Sequence, residues 1–124
     1  MNFEQTPEFK KDFKRLIKKY RSLEADINYV IPRIESLYTK RDDIDVKQFR
    51  TELFATKRAA ILPGSSDDVE VVKMRLDVAS LQSNSKVRII FIAVIKNNVI
   101  ILVELYAKND KLREDKARIK KYLI

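Results

Sequence analysis

Near residue 69 the hydrophobic pattern of this chain changes its period, and that change constrains the fold more than any other feature. Before it, apolar residues recur every three to four positions; after it, they alternate or run together. Phe9, Phe13, Leu16, Ile17 and Tyr20 mark one face of a helix over 7–20, with Thr6 as N-cap and Pro7 in the first turn. The opposite face carries Lys10, Lys11, Lys14, Lys18 and Lys19. Ser22 is placed to cap a second helix with Leu23, Ile27, Val30, Ile34, Leu37 and Tyr38 inward, and Pro32 within it predicts a kink or a break. Asp45 is placed to cap a third, over 46–58, and Pro63 to Asp68 reads as a loop.

Beyond that point the period is two. Val69 to Ala79 puts Val72, Met74, Leu76 and Val78 on one face and Lys73, Arg75 and Asp77 on the other. Val87 to Lys96 is apolar on both faces, the pattern of a central strand. Asn97 and Asn98 read as a two-residue turn, Val99 to Lys108 as the returning strand, and Asn109-Asp110 as the cap of a last helix over 111–122. A short strand at 2–5 can join the sheet. The fold class is therefore α+β: an N-terminal helical hairpin packed on a small antiparallel β-sheet, with a C-terminal helix, all in one domain over 1–124.

Composition removes whole classes of chemistry. With no Cys and no His, zinc sites, thiol catalysis and His-based nucleophilic triads are excluded, and the expected setting is cytoplasmic. A single Gly leaves no Walker loop or dinucleotide fingerprint, so no cofactor and no metal is expected. The longest apolar run, Ile89 to Ile95, has 7 residues, against roughly 20 for a membrane helix. The opening residues lack a signal-peptide pattern, so no membrane partner is expected. The net charge of +8 is uneven: residues 1–41 carry +4, residues 42–72 carry −3 and residues 73–124 carry +7. A basic balance of this kind favours phosphate-rich or acidic partners.

If the two turns centre on Asn97-Asn98 and Gln82-Ser83, Arg88 faces Ala107 and Asp77 faces Arg88. One sheet face then gathers Lys73, Arg75, Arg88 and Asn109, and the other turns Met74, Leu76, Ile89, Phe91, Ile100 and Leu102 toward the helices. On this register Glu104 lies on the helix side, as a structural partner for a basic residue such as Arg21 or Lys18.

Several segments in this order resemble the RelE/ParE toxin superfamily: FKKDFKRL at 9–16, KYRSL at 19–23, VKMRL at 72–76, KVRIIF at 86–91, LYAKNDK at 105–111 and RIKKYL at 118–123. The resemblance implies a RelE-like toxin of a type II toxin–antitoxin system, a ribosome-dependent mRNA endoribonuclease neutralised by a cognate acidic antitoxin. ParE-like members share the fold and poison DNA gyrase instead, and a non-catalytic RNA-binding relative is the third possibility. Carried onto this chain, the catalytic positions are Lys73, Arg75, Arg88, Lys108 and Asn109, where Asn109 replaces a second basic residue found in some members. Arg75 and Arg88 would clamp the phosphate, Lys73 would serve as base with Asp77 as its rival, and Lys108 would protonate the leaving oxygen. Lys10, Lys14, Lys18, Lys86, Lys111, Lys120 and Lys121 would contact ribosomal RNA phosphates.

Overall fold

Thr6 shows how local chemistry sets the first helix against the sheet. Its hydroxyl accepts the Phe9 N–H at 3.0 Å and donates to the Val103 carbonyl at 3.3 Å, so the cap is also a stitch to the last strand. In the computed structural model, which describes residues 1–81 and 87–123, the chain runs β1 (Asn2–Gln5), α1 (Pro7–Leu16), α2 (Leu23–Thr39), α3 (Ile44–Ala55) and β2 (Ala59–Ile61). It continues as β3 (Val69–Leu76), a 3₁₀ turn (Ala79–Leu81), β4 (Val87–Val94), β5 (Val99–Ala107) and α4 (Lys116–Lys121). The five strands form one sheet in the order β1-β5-β4-β3-β2, with β1 parallel to β5 and the other neighbours antiparallel. The fold is α+β, as expected, but the sheet is mixed rather than wholly antiparallel.

The element boundaries depart from the sequence expectation in instructive ways. α1 stops at Leu16, and residues 17–20 turn so that Tyr20 enters the core. α2 is continuous through Pro32. Pro32 and Asn28 are both exposed, so the carbonyl that proline leaves without a donor lies where water can reach it. The cap of α3 is Asp43 rather than Asp45, its carboxylate accepting the N–H groups of Asp45 and Val46 at 2.9 and 3.1 Å. That helix ends ahead of Lys57, whose φ of 61° is left-handed. β2, three residues pairing antiparallel with β3, was not foreseen at all. The last helix begins at Lys116, not 111, because Asp115 caps it by accepting the Arg118 N–H at 3.0 Å. Leu112, ahead of that cap, is exposed.

Two features of the β4–β5 hairpin reset the expected register. The turn holds four residues, 95–98, so Val94 rather than Lys96 stands opposite Val99. Farther along, Phe91 faces Leu102 while Ile90 faces Glu104, which leaves Val103 as an extra residue in a bulge. Arg88 therefore faces Tyr106, not Ala107, and Glu104 is on the outer face of the sheet rather than toward the helices. On the other side of β4, Arg88 pairs with Arg75 and not with Asp77. The expected turn at Gln82-Ser83 lies outside the described residues.

The face of the sheet toward α1–α3 is continuously apolar: Val72, Met74, Leu76, Ile89, Phe91, Ile100 and Leu102 pack with Phe9, Leu16, Leu23, Ile34 and Leu37. A smaller cluster on the outer face, Val71, Ile90, Ile92, Val103 and Tyr106, is covered by Ile119 of α4. Among the described residues no helix is long and apolar enough to cross a membrane.

Candidate functional site

Within β3, alternation alone sets Lys73 and Arg75 on the face opposite Val72, Met74 and Leu76, and pairing with β4 sets Arg88 directly across from Arg75. Two cationic side chains are thereby held side by side on one patch of the outer face. Arg75 is exposed, whereas Arg88 is buried, with only 8% of its surface accessible. Burial, and then the positive charge of Arg75, push the Arg88 pKa down, while Tyr106 works in the opposite sense. The charged form of Arg88 is thus held at an electrostatic cost that an anion placed between the two guanidinium groups lowers.

Tyr106 is Arg88's neighbour on β5. It is 1% exposed, and its hydroxyl finds no hydrogen-bond partner among the described residues. Burial, then the charges of Glu114 and Glu104, push the phenol up to about 12, with Arg88 opposing them, so it stays protonated near neutral pH. Lys111 lies over its ring at 5.5 Å from the centroid and forms an ion pair with the fully buried Glu104. Glu104 also accepts the Asp115 N–H at 2.8 Å, so it serves Lys111 and the backbone, and neither Arg21 nor Lys18.

Lys73 donates to the Glu114 carboxylate at 3.1 Å. Burial raises the Glu114 pKa, but its backbone hydrogen bond and Lys73 outweigh that and leave it lowered, which favours the carboxylate form. An ammonium held this way is a cation and a donor; the arrangement does not suit the role of base assigned to Lys73. Asp77, the rival base, is paired with Arg58 at the sheet margin.

The remaining candidates are scattered. Lys108 and Asn109 are exposed in the turn after β5. The bulge at Val103 removes the parity that had put Asn109 beside Arg88, since Ala107 joins the helix-side core. Lys10 and Lys14 project from α1, and Lys18 from the turn behind it, on an element whose Phe9 and Leu16 pack on the other side of the sheet. Lys120 and Lys121 are exposed on α4, and Lys121 is paired with Glu8 at 3.0 Å. Lys86 lies outside the described residues.

The sequence reading missed Tyr106 and Glu114. Tyr106 sits in an apolar strand and carries no motif, though it is the one residue between Leu76 and Ala107 with a phenol. Glu114 belongs to a segment read as helix, where its approach to Lys73 had no local signal. No known family model matches the chain, and no characterised protein or solved structure shows significant similarity to it.

Proposed function

We propose that this chain is a RelE-like toxin of a type II toxin–antitoxin system, a ribosome-dependent mRNA endoribonuclease that stops translation in the cytoplasm and is neutralised by a cognate acidic antitoxin. The observation that carries the reading is the cross-strand pair of Arg75 and Arg88, one exposed and one desolvated, with Lys73 next along β3. A phosphodiester is the anion that such a pair fits, because each guanidinium can bind two of its oxygens.

In this reading the substrate supplies its own nucleophile. The 2′-oxygen attacks the adjacent phosphorus as its proton passes to water, the bond from phosphorus to the 5′-oxygen breaks, and that oxygen takes a proton from water, leaving a 2′,3′-cyclic phosphate and a 5′-hydroxyl. Arg75 and Arg88 stabilise the charge that grows on the phosphoryl oxygens. Lys73, ion-paired with Glu114, adds a third cation beside them. The element order is compatible with the reading: α1 and α2 come ahead of a β3–β5 meander and a short basic helix, with β1 before them and α3 and β2 inserted between α2 and β3.

Induction of the wild-type chain in growing cells is expected to halt amino-acid incorporation before thymidine incorporation, with new 5′ ends on ribosome-bound mRNA. The double variant Arg75→Ala/Arg88→Ala is expected to lose both effects. Unchanged arrest and cleavage in that variant would overturn the assignment, and thymidine incorporation stopping first would point to gyrase instead.

A further inference from the structure

A second feature lies on the helix side of the sheet. α2 presents Asp26, Tyr29, Val30 and Arg33 along one face, and α3 presents Phe49, Glu52, Leu53 and Thr56 with the same spacing of three, four and seven. Facing stripes of a packed helix pair are ordinarily apolar and close on one another. Here half of the positions are polar, and the stripes enclose a cleft of about 440 Å³ floored by Met74 and Leu76. That volume suits a small planar ligand; such sites run from roughly 300 to 1,000 Å³.

The rim has the chemistry of a nucleobase site. Tyr29 is 64% exposed, and the Arg33 guanidinium lies over its ring at 4.4 Å from the centroid. An exposed phenol ring and a guanidinium plane are surfaces on which bases stack. Of the carboxylates at the cleft, Asp26 accepts from the Ser22 hydroxyl and the Ala79 N–H, and Asp77 is paired with Arg58. Glu52 is exposed and has no ion pair among the described residues. An ionised carboxylate accepts two parallel hydrogen bonds. Among the four RNA bases, guanine alone offers two adjacent donors, N1–H and the exocyclic amine, on one edge. Arg75 is also among the residues that line this cleft, although alternation turns its side chain to the outer face across from Arg88, so the cleft and the cationic pair adjoin at that residue.

We propose that the α2–α3 cleft binds a guanine of the RNA strand, with Tyr29 and Arg33 stacking on the base and Glu52 reading its Watson–Crick edge. The inference rests on the RNA reading above and assigns that site a base preference. The test titrates the full chain with guanosine 3′-monophosphate and adenosine 3′-monophosphate, followed by NMR. The guanine nucleotide is expected to bind about tenfold more tightly, the advantage of one good bidentate pair. Glu52→Gln should abolish that preference while leaving adenosine 3′-monophosphate unaffected, and Tyr29→Ala should weaken both by roughly tenfold. Both side chains are exposed, so the variants should keep the wild-type Tm. Equal affinity for the two nucleotides in the wild type, or a preference that survives Glu52→Gln, would overturn the base pocket. The Arg75→Ala/Arg88→Ala variant separates the two readings. If it binds both nucleotides as tightly as the wild type and still prefers guanine, the cleft stands and the phosphate assignment falls. If the wild type binds both nucleotides equally and this variant binds neither, the phosphate assignment stands and the cleft falls.

Discussion

The two faces of the sheet are made from alternate residues of the same strands, yet they differ in kind. The helix-side face is apolar along its whole length, from Val72 to Leu76 and across Ile89, Phe91, Ile100 and Leu102. The outer face is apolar only where α4 covers it; the rest carries Lys73, Arg75, Arg88 and Glu104. One face therefore supplies cohesion, while the other holds like charges close together at a cost to stability. Side chains whose arrangement opposes folding are those a functional explanation has to account for.

That contrast is broken most directly by truncating one residue on each face. Phe91 is fully buried and meets the Tyr38 ring edge-on, with centroids 6.3 Å apart. Phe91→Ala is expected to cost about 3–5 kcal/mol in denaturant unfolding, the range for an aromatic lost from a packed core. Arg75→Ala, on exposed ground beside Arg88, is expected to change stability by no more than about 0.5 kcal/mol. Comparable losses at both positions would mean that the outer face is as structural as the inner one.

A second variant tests how the outer face is closed at its edge. Asp12 is buried on α1 and accepts the Leu105 N–H at 3.1 Å and the Arg118 guanidinium at 2.6 Å. Arg118 thereby ties the C-terminal segment to α1. Arg118→Ala strands a buried carboxylate, and the expected cost is roughly 2–4 kcal/mol, below the full value for a buried pair because Arg118 keeps some contact with solvent. Asp12→Asn combined with Arg118→Ala should recover part of that loss, since the amide can be buried neutral. Thermal unfolding of the three proteins decides it.

How far the sequence disclosed this arrangement depended on whether a residue's placement is local. The helix and strand types were legible because the hydrophobic period is set over a few residues, and Lys73 and Arg75 share a face whatever turn follows β3. Partners across strands were not legible, because they depend on the four-residue turn at 95–98 and on the bulge at Val103. Each moved the register, and the bulge carried Glu104 from one face to the other. β2, at Ala59–Ile61, is too short for its alternation to be read. The α2–α3 cleft stayed hidden for another reason: Tyr29 and Arg33 look like ordinary surface residues until α3 is seen to present Glu52 opposite them.

The smallest expected effect concerns the far end of the same closing segment, and its sign follows from one carboxylate. Glu8, in the first turn of α1, accepts from the Tyr122 hydroxyl and, at 3.0 Å, from the Lys121 ammonium. These two hydrogen bonds, Tyr122's first, hold its pKa at about 2, well below the roughly 4.3 of a free glutamate. A folded-state pKa below the unfolded one means that the contribution is complete above the unfolded value and is lost as pH falls toward the folded one. Wild-type stability should therefore drop between about pH 5 and pH 2 by more than that of Glu8→Gln. The two curves should meet near the acid end, where Glu8 is protonated. The comparison is made by denaturant unfolding at stepped pH, with amide exchange in α4 as the local readout. Other carboxylates, Asp12 among them, are common to both proteins and cancel in the difference. A gap that stays constant down to pH 2 would show that Glu8 contributes through packing rather than charge. The outer face would then be held at its margin by contacts of the same kind as the inner one.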